Sequence, residues 1–353
     1  MPLLMAGKQG LVMGVANERS IAWGIAKALH DHGAKLAFTY QGEALGKRVR
    51  PLAESLDSDF VMDADVASAE SLETVFAALR GRWGRVDFLV HAIAFSDKDE
   101  LKGKYLETTR DNFLRTLEIS CYSFTDVCRR TAPLMTAGGS LLTLTYSGAE
   151  RVMPHYNVMG VAKAALEASV RYLAVDLGGD NIRVNAISAG PINTLAARGI
   201  GDFNYILKWN RLNSPLKRNV TIEDVGGASL YLLSDLSAGV SGEIHHVDCG
   251  YHVVGMKAVD APDIFDRDVA FQWRVELVPL QDVAKITDSR GRQSLDRAGG
   301  DRVDPNLVAA QIDREIAHAR LERRFRHAHD VIVRHHPLGP RVSQCQQTAG
   351  RCR

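Results

Sequence analysis

Tyr156 and Lys163 are the pair of residues in this 353-residue chain whose types and spacing most suggest chemistry. They stand seven apart at the start of an apolar, helix-forming stretch. Seven residues is nearly two turns at ~3.6 residues each, so both side chains share one helix face, ~10.5 Å apart along the axis. A phenol with an unperturbed pKa of ~10 keeps its proton at neutral pH and can donate it. A nearby ammonium would lower that pKa. A ribose could bridge the gap, its hydroxyls held by Lys163 while Tyr156 faces a substrate. A buried tyrosine beside a solvated lysine would give the same spacing. The context argues for more: Tyr146 ends the preceding apolar run, and Ser188-Ala-Gly-Pro-Ile-Asn-Thr194 follows a later one.

Other polar sites fall at the ends of apolar runs. Gly14-Val-Ala-Asn17-Glu-Arg-Ser20 joins a short apolar run to a helical one. A dinucleotide pyrophosphate meets backbone N–H groups and a positive helix end in such a turn. Gly14 permits the turn, Ser20 can cap the helix or donate to phosphate, and Gly24 lets the helix approach the sheet. The pattern is not GxGxxG, and an ordinary capped turn explains it equally well. Gln41 follows the second strand, with neither an acidic residue for a ribose nor an adjacent arginine for a 2′-phosphate, which leaves NAD against NADP open. Asp65 and Val66 follow the third strand, where an adenine could rest, while Asp63 reads as a turn former.

The elements that must position these residues alternate. Strands are expected at 10–15, 35–39, 60–62, 86–91, 140–145, 182–187 and 244–247. Helices are expected at 21–32, 43–56, 68–82, 111–135, 157–177 and 221–233, with a polar insertion at 96–110. Continuous apolar strands separated by helices imply a parallel sheet covered on both faces. The fold class is α/β: a single doubly wound, Rossmann-like sheet over residues 1–257, with ligands at the carboxyl ends of its strands.

Composition bounds the function. A net charge of +1 gives no overall excess for nucleic acid or membrane. No apolar run approaches the ~20 residues of a bilayer span, and the first residues do not read as a secretory signal. Five widely spaced cysteines suggest neither a disulfide framework nor a metal site. A cytoplasmic, metal-free protein is expected. The composition shifts near residue 258: beyond residue 260, Lys285 is the sole lysine against fifteen arginines. Residues 258–353 are expected to be largely disordered, with one helix over 305–329, where Val308, Ile312 and Ile316 recur every fourth residue. The segment reads either as an altered or read-through C-terminus or as an accessory segment.

The region from Gly7 to Met256 resembles the short-chain dehydrogenase/reductase superfamily and, within it, the bacterial NADH-dependent enoyl-[acyl-carrier-protein] reductases. The residues that carry the resemblance include the Gly14…Ser20-Ile21-Ala22 turn, Phe38-Thr-Tyr-Gln41, His91-Ala-Ile93, Leu142-Thr-Leu-Thr-Tyr146, Tyr156-Asn-Val-Met-Gly160, Lys163, Arg183…Ile192 and Thr194-Leu-Ala-Ala197. Ketoreductases of the superfamily have a Tyr-x3-Lys pair and an upstream serine; here six residues intervene and Tyr146 stands upstream. The resemblance implies reduction of a trans-2-enoyl thioester on acyl carrier protein by NADH, in a cytoplasmic homotetramer. It implies that Tyr146, Tyr156 and Lys163 are catalytic, and that Gly14, Ser20, Ile21, Gln41, Asp65, Val66, Ile93, Lys163, Ile192 and Thr194 contact NADH. Ser96, Tyr146, Tyr156, Met159, Ile200 and Phe203 would face the substrate, the last two from a mobile lid over 195–213. Ala94 departs from the pattern, which often has glycine there, and its methyl would narrow the nicotinamide edge. A ketoacyl reductase using NAD(P)H and a non-catalytic dinucleotide-binding module are the competing readings. The Tyr-x6-Lys spacing and the joint presence of Tyr156 and Lys163 argue against them.

Overall fold

The computed structural model describes residues 3–195, 197 and 200–256. The disorder expected of 258–353 and the helix expected over 305–329 lie outside the described residues.

Seven strands form one parallel sheet: β1 Gln9–Met13, β2 Lys35–Tyr40, β3 Val61–Asp63, β4 Phe88–His91, β5 Gly139–Thr145, β6 Ile182–Ala189 and β7 Ile244–Val247. Their order is β3-β2-β1-β4-β5-β6-β7. The direction of winding reverses between β1 and β4, which pair in register from Gly10↔Phe88 to Met13↔His91. Loops leaving neighbouring strands on either side of that point diverge to opposite faces, so a crevice opens at the carboxyl edge. Among the described residues, eight α-helices accompany the sheet: α1 Ile21–Asp31, α2 Glu43–Glu54, α3 Ala69–Trp83, α4 Arg110–Leu117, α5 Ser123–Thr131, α6 Asn157–Gly178, α7 Phe203–Asn213 and α8 Ile222–Leu233.

Side chains alternate across the strands, as period-2 geometry requires. Val12, Phe38, Val90, Leu142 and Ile187 pack to one side with α1, α2 and α8. Leu11, Met13, Leu89, Leu141 and Val184 pack to the other with α3, α5 and α6. Because both faces are covered, β1, β4, β5 and β6 are buried at nearly every position and read as largely apolar runs.

Two local expectations are corrected. The single helix expected over 111–135 is interrupted by a π turn at Glu118–Tyr122. A π turn inserts one extra residue and rotates the helix beyond it. The rotation sets Ser120 Oγ against the backbone of Phe95, accepting from its N–H and donating to its carbonyl at 3.0 Å each, and Ser123 against the His91 ring. Gly24 does not serve a helix-to-sheet approach. A Cβ there would stand 2.7 Å from Ile222 Cβ and closer still to the Ile222 carbonyl oxygen, so the glycine lets α1 meet α8.

Candidate active site

The first turn is built around a glycine that nothing can replace without movement. Gly14 has φ of +99°, and a Cβ on it would lie 2.7 Å from the Ala92 carbonyl carbon and closer still to its oxygen. The turns after β1 and β4 therefore touch backbone to backbone at the crevice. Ser20 is the N-cap of α1, but its side chain makes no cap bond to the helix. It instead accepts the N–H groups of Ala16 and Asn17, both at 3.0 Å, bracing the turn from within. Asp63 does form a turn contact, accepting from the Gly42 N–H at 2.8 Å.

The loop between β5 and α6 carries both tyrosines. Tyr156 is not inside α6; it is the residue before the first turn, with φ −118° and ψ −27°. His155 and Asn157 on either side both have positive φ, 56° and 34°. Tyr156 is thus the N-cap of α6 and not a residue within it, and its ring packs beside Gly160, one turn before Lys163. Asn157 Nδ2 donates to the carbonyls of Glu100 and Lys102, at 3.1 and 3.3 Å. That ties the insertion after β4 to the tyrosine. The rings of Tyr146 and Tyr156 meet edge to face with centroids 5.2 Å apart.

Lys163 is buried on α6, and its Nζ donates to the Leu144 carbonyl at 2.8 Å. Burial pushes its pKa down to about 8, opposed by Cys121 and Glu167. Burial also pushes Tyr146 up to about 12 and Tyr156 well above the ordinary phenol range, with Tyr146 and Glu167 adding to the rise. The lowering of Tyr156 by Lys163 is not found: the ammonium faces the end of β5, and desolvation of the phenol dominates. Tyr156 is held as a protonated donor. His91, fully buried at the end of β4, falls to about 3 through burial and the Lys163 charge. It is a neutral ring lying 3.1 Å from Thr143 Oγ1 and 2.9 Å from Ser123 Oγ.

A cleft of about 680 Å³ opens above these groups, with mostly apolar walls. It brings together Ile21, Ser96, Tyr146, Tyr156 and Met159 with Ile192, Thr194, Ile200 and Phe203. A second cavity of about 330 Å³ is lined by Gln41 and Asp65 on one side and by Leu114, Arg115, Glu118 and Ile119 on the other. Gly14, Ser20, Val66, Ile93 and Lys163 line neither. Val66 and Ile93 are half-buried against the α3-side core, and Lys163 lies beneath the cleft floor. Residues 196, 198 and 199 of the expected lid lie outside the described residues; its helix, α7, begins after Asp202. Among the described residues, no group of three His, Cys, Asp or Glu could hold a metal ion.

The model of the enoyl-(acyl carrier protein) reductase family matches residues 14–252. The enoyl-[acyl-carrier-protein] reductase [NADH] 1 of Rhizobium meliloti is 69% identical over 261 residues, covering 74% of this chain and 96% of the relative. This chain belongs to the enoyl-(acyl carrier protein) reductase family. A crystal structure of such a reductase from Anaplasma phagocytophilum, in complex with NAD, superposes with a TM-score of 0.71 at 61% identity, covering 74% of this chain and 98% of that one. The Bacillus cereus reductase, solved with NADP+ and an indole naphthyridinone, gives 0.71 at 53% identity, covering 72% of this chain and all of that one.

The reductase's cleft is also lined by residues that the sequence did not single out as site residues: Phe95, Asp97, Lys98 and Leu101, together with Thr145 and Pro191 from within the quoted motifs. All but Leu101 lie within seven residues after a strand end or at it, and that position was the signal available. The residues fit a dinucleotide. The Gly14 turn meets the end of β4 backbone to backbone at the crevice, the Gln41–Asp65 cavity lies beside the third strand, and among the described residues the buried Lys163 spends one of its three N–H donors on protein.

Proposed function

We propose that this chain reduces the trans-2 double bond of enoyl thioesters carried on acyl carrier protein, with NADH as reductant, as a step of fatty acid biosynthesis. The observation that carries the reading is the pairing of Tyr146 and Tyr156 on the wall of an apolar cleft, with the buried Lys163 bonded to the strand end beside Thr145 of that wall. Met159, Leu101, Ile200 and Phe203 give an acyl chain apolar surface. Ser96 lies where a backbone N–H would meet the thioester. Its side chain is taken up with Asn112 and Thr116.

When bound, the dihydronicotinamide would supply a hydride for the β-carbon, and a proton taken up from solvent at the α-carbon would complete the saturation. Tyr156 donates its hydroxyl proton in a hydrogen bond to the thioester oxygen, and that bond strengthens as negative charge gathers there, which lowers the barrier. Because burial keeps the phenol protonated, the donor is present across the working pH range. Lys163 directs its two remaining N–H donors at the ribose hydroxyls. Gly14, Ser20 and Ile21 would meet the pyrophosphate, Gln41, Asp65 and Val66 the adenosine, and Ile93, Ile192 and Thr194 the nicotinamide end. Tyr146 packs on Tyr156 and fixes its ring. The segment 195–213 acts as the lid, and the Ala94 methyl narrows the cleft edge.

Asp65, on the wall shared with Gln41, would repel a 2′-phosphate, which favours NADH over NADPH. We also read the chain as a cytoplasmic homotetramer. No helix among the described residues is long and apolar enough to cross a membrane. Tyr122 on the π turn and Tyr172 and Val175 on α6 are 59%, 76% and 81% exposed. Such apolar surface suits burial against a second copy. The test follows absorbance at 340 nm with crotonyl and longer enoyl thioesters and either nicotinamide. NADH-dependent saturation is expected. Turnover confined to ketoacyl thioesters, or a higher kcat/KM with NADPH, overturns the reading. Light scattering is expected to give four copies, and a monomer at micromolar concentration overturns that assignment.

A further inference from the structure

We propose that Glu167 is a positioning residue of the reductase site: its carboxylate keeps Lys163 charged and holds it, through the end of β5, in the place from which it reaches the ribose. The proposal rests on the reading of Lys163 as the ribose-binding residue.

Glu167 lies four residues after Lys163, so the two side chains lie one above the other on the same face of α6. Both are buried, at 5% and 7% exposure. Each reaches the same strand end through consecutive residues. Lys163 Nζ donates to the Leu144 carbonyl at 2.8 Å, and Glu167 Oε1 accepts from the Thr145 hydroxyl at 2.7 Å. Two neighbouring bonds from one helix face to two successive strand residues fix both the spacing and the rotation of α6 against β5. Thr145 is itself a wall of the cleft, so this clamp is part of the site's floor.

The charge matters as much as the clamp. A buried ammonium costs free energy unless a counter-charge faces it. Cys121, on the π turn, and Glu167 are the groups that hold the Lys163 proton on against burial, and the Cys121 thiol, itself raised by burial, is neutral. His91, on β4, is a neutral ring and supplies no counter-charge. Glu167 is in turn faced by Glu150 from the loop after β5, by Arg171 on its own helix and by His246 on β7. Burial raises the Glu167 pKa and the Thr145 hydroxyl opposes the rise; among the described residues, Glu167 is the carboxyl group set against Lys163.

The test uses the full chain. NADH affinity is read by fluorescence from pH 6.5 to 10, and the Lys163 titration is read without coenzyme by the 13Cε signal of lysine-labelled protein, identified by its loss in Lys163→Met. Wild-type affinity is expected to fall above about pH 8. In Glu167→Gln both the fall in affinity and the lysine midpoint are expected about one pH unit lower, with affinity at pH 6.5 within about twofold. Glu167→Asp, which keeps the charge, should restore most of the wild-type profile. Thr145→Val, which only frees the carboxylate to move, should shift both curves less and in the same direction, so the idea remains falsifiable if Glu167→Gln fails to fold. An unmoved lysine midpoint in the folded variants overturns the proposal, as does a uniform loss of affinity at every pH. A wild-type chain that bound no NADH would instead overturn the reading of the site. The coenzyme-free lysine titration separates the two failures.

Discussion

Replacing Gly14 by alanine tests whether the close backbone contact between the first turn and the end of β4 shapes the coenzyme crevice. With φ at +99°, an alanine there is strained before any contact is considered, at a cost of about 1–3 kcal/mol. The new methyl would also stand 2.7 Å from the Ala92 carbonyl carbon, where real Cβ atoms essentially never come within 3.0 Å. The obstacle is backbone at the end of β4 and cannot swing aside as a side chain could. Overpacking of that kind costs about 1–3 kcal/mol more, for a total of about 2–6 kcal/mol. At ~2–4 °C per kcal/mol for a domain of this size, Tm should fall by about 4–24 °C. The fold should survive, since domains of this kind are stable by ~5–15 kcal/mol. The displaced turn should weaken NADH binding at least tenfold (about 1.4 kcal/mol). Gly81→Ala is the control: that glycine is inside α3 with nothing within 4 Å of its added Cβ, so the same substitution should stabilise by about 0.5–1 kcal/mol. The assays are thermal unfolding followed by circular dichroism and fluorescence titration with NADH. A Gly14→Ala protein with unchanged Tm and unchanged affinity would refute the argument from backbone proximity.

Tyr156→Phe should lower kcat by about 100- to 1000-fold with little change in NADH affinity, whereas Lys163→Ala should weaken NADH binding as well; steady-state kinetics and titration separate the two, and unchanged turnover in both would remove them from the mechanism. His91 titrates near 3 in the fold against 6.5 when unfolded. As pH falls through that window the unfolded chain takes a proton that the folded chain refuses, and stability is lost. Relative to His91→Asn, denaturant unfolding should show wild type losing about 3 kcal/mol between pH 6.5 and pH 4, and parallel pH profiles would contradict this. A chain ending at Lys257 should keep NADH-dependent turnover and oligomeric state, because 73–74% of this chain already covers 98–100% of its solved relatives; loss of either on truncation would make the last 96 residues part of the working enzyme.

The layered architecture was legible in the sequence because a parallel sheet buried on both faces needs unbroken apolar strands, and the helices between them need one apolar stripe. Leu11-Val-Met13 and Leu141-Leu142 are such strands, and their alternate residues do enter opposite cores. The crevice followed from the same logic, since Gly14, Gln41, Asp65, Ser96, Tyr146 and Thr194 all stand just after strands. Local spacing could not supply the orientation of the side chains. Tyr156 stands at the N-cap of α6 between His155 and Asn157, both at positive φ, a local turn that helical spacing does not reveal. The π turn at Glu118–Tyr122 has no periodic signature, since one inserted residue is lost within a helical pattern. The protonation states also lay beyond the sequence, because they depend on what surrounds each group. Tyr156 was expected to lose affinity for its proton beside Lys163. The fold instead aims that ammonium at Leu144 and buries the phenol, and desolvation outweighs a charge that faces elsewhere. Composition and periodicity follow from what each residue type prefers and are carried along the chain. Burial, and the partner each polar group finds, are set by residues far away in sequence, and only the assembled tertiary structure decides them.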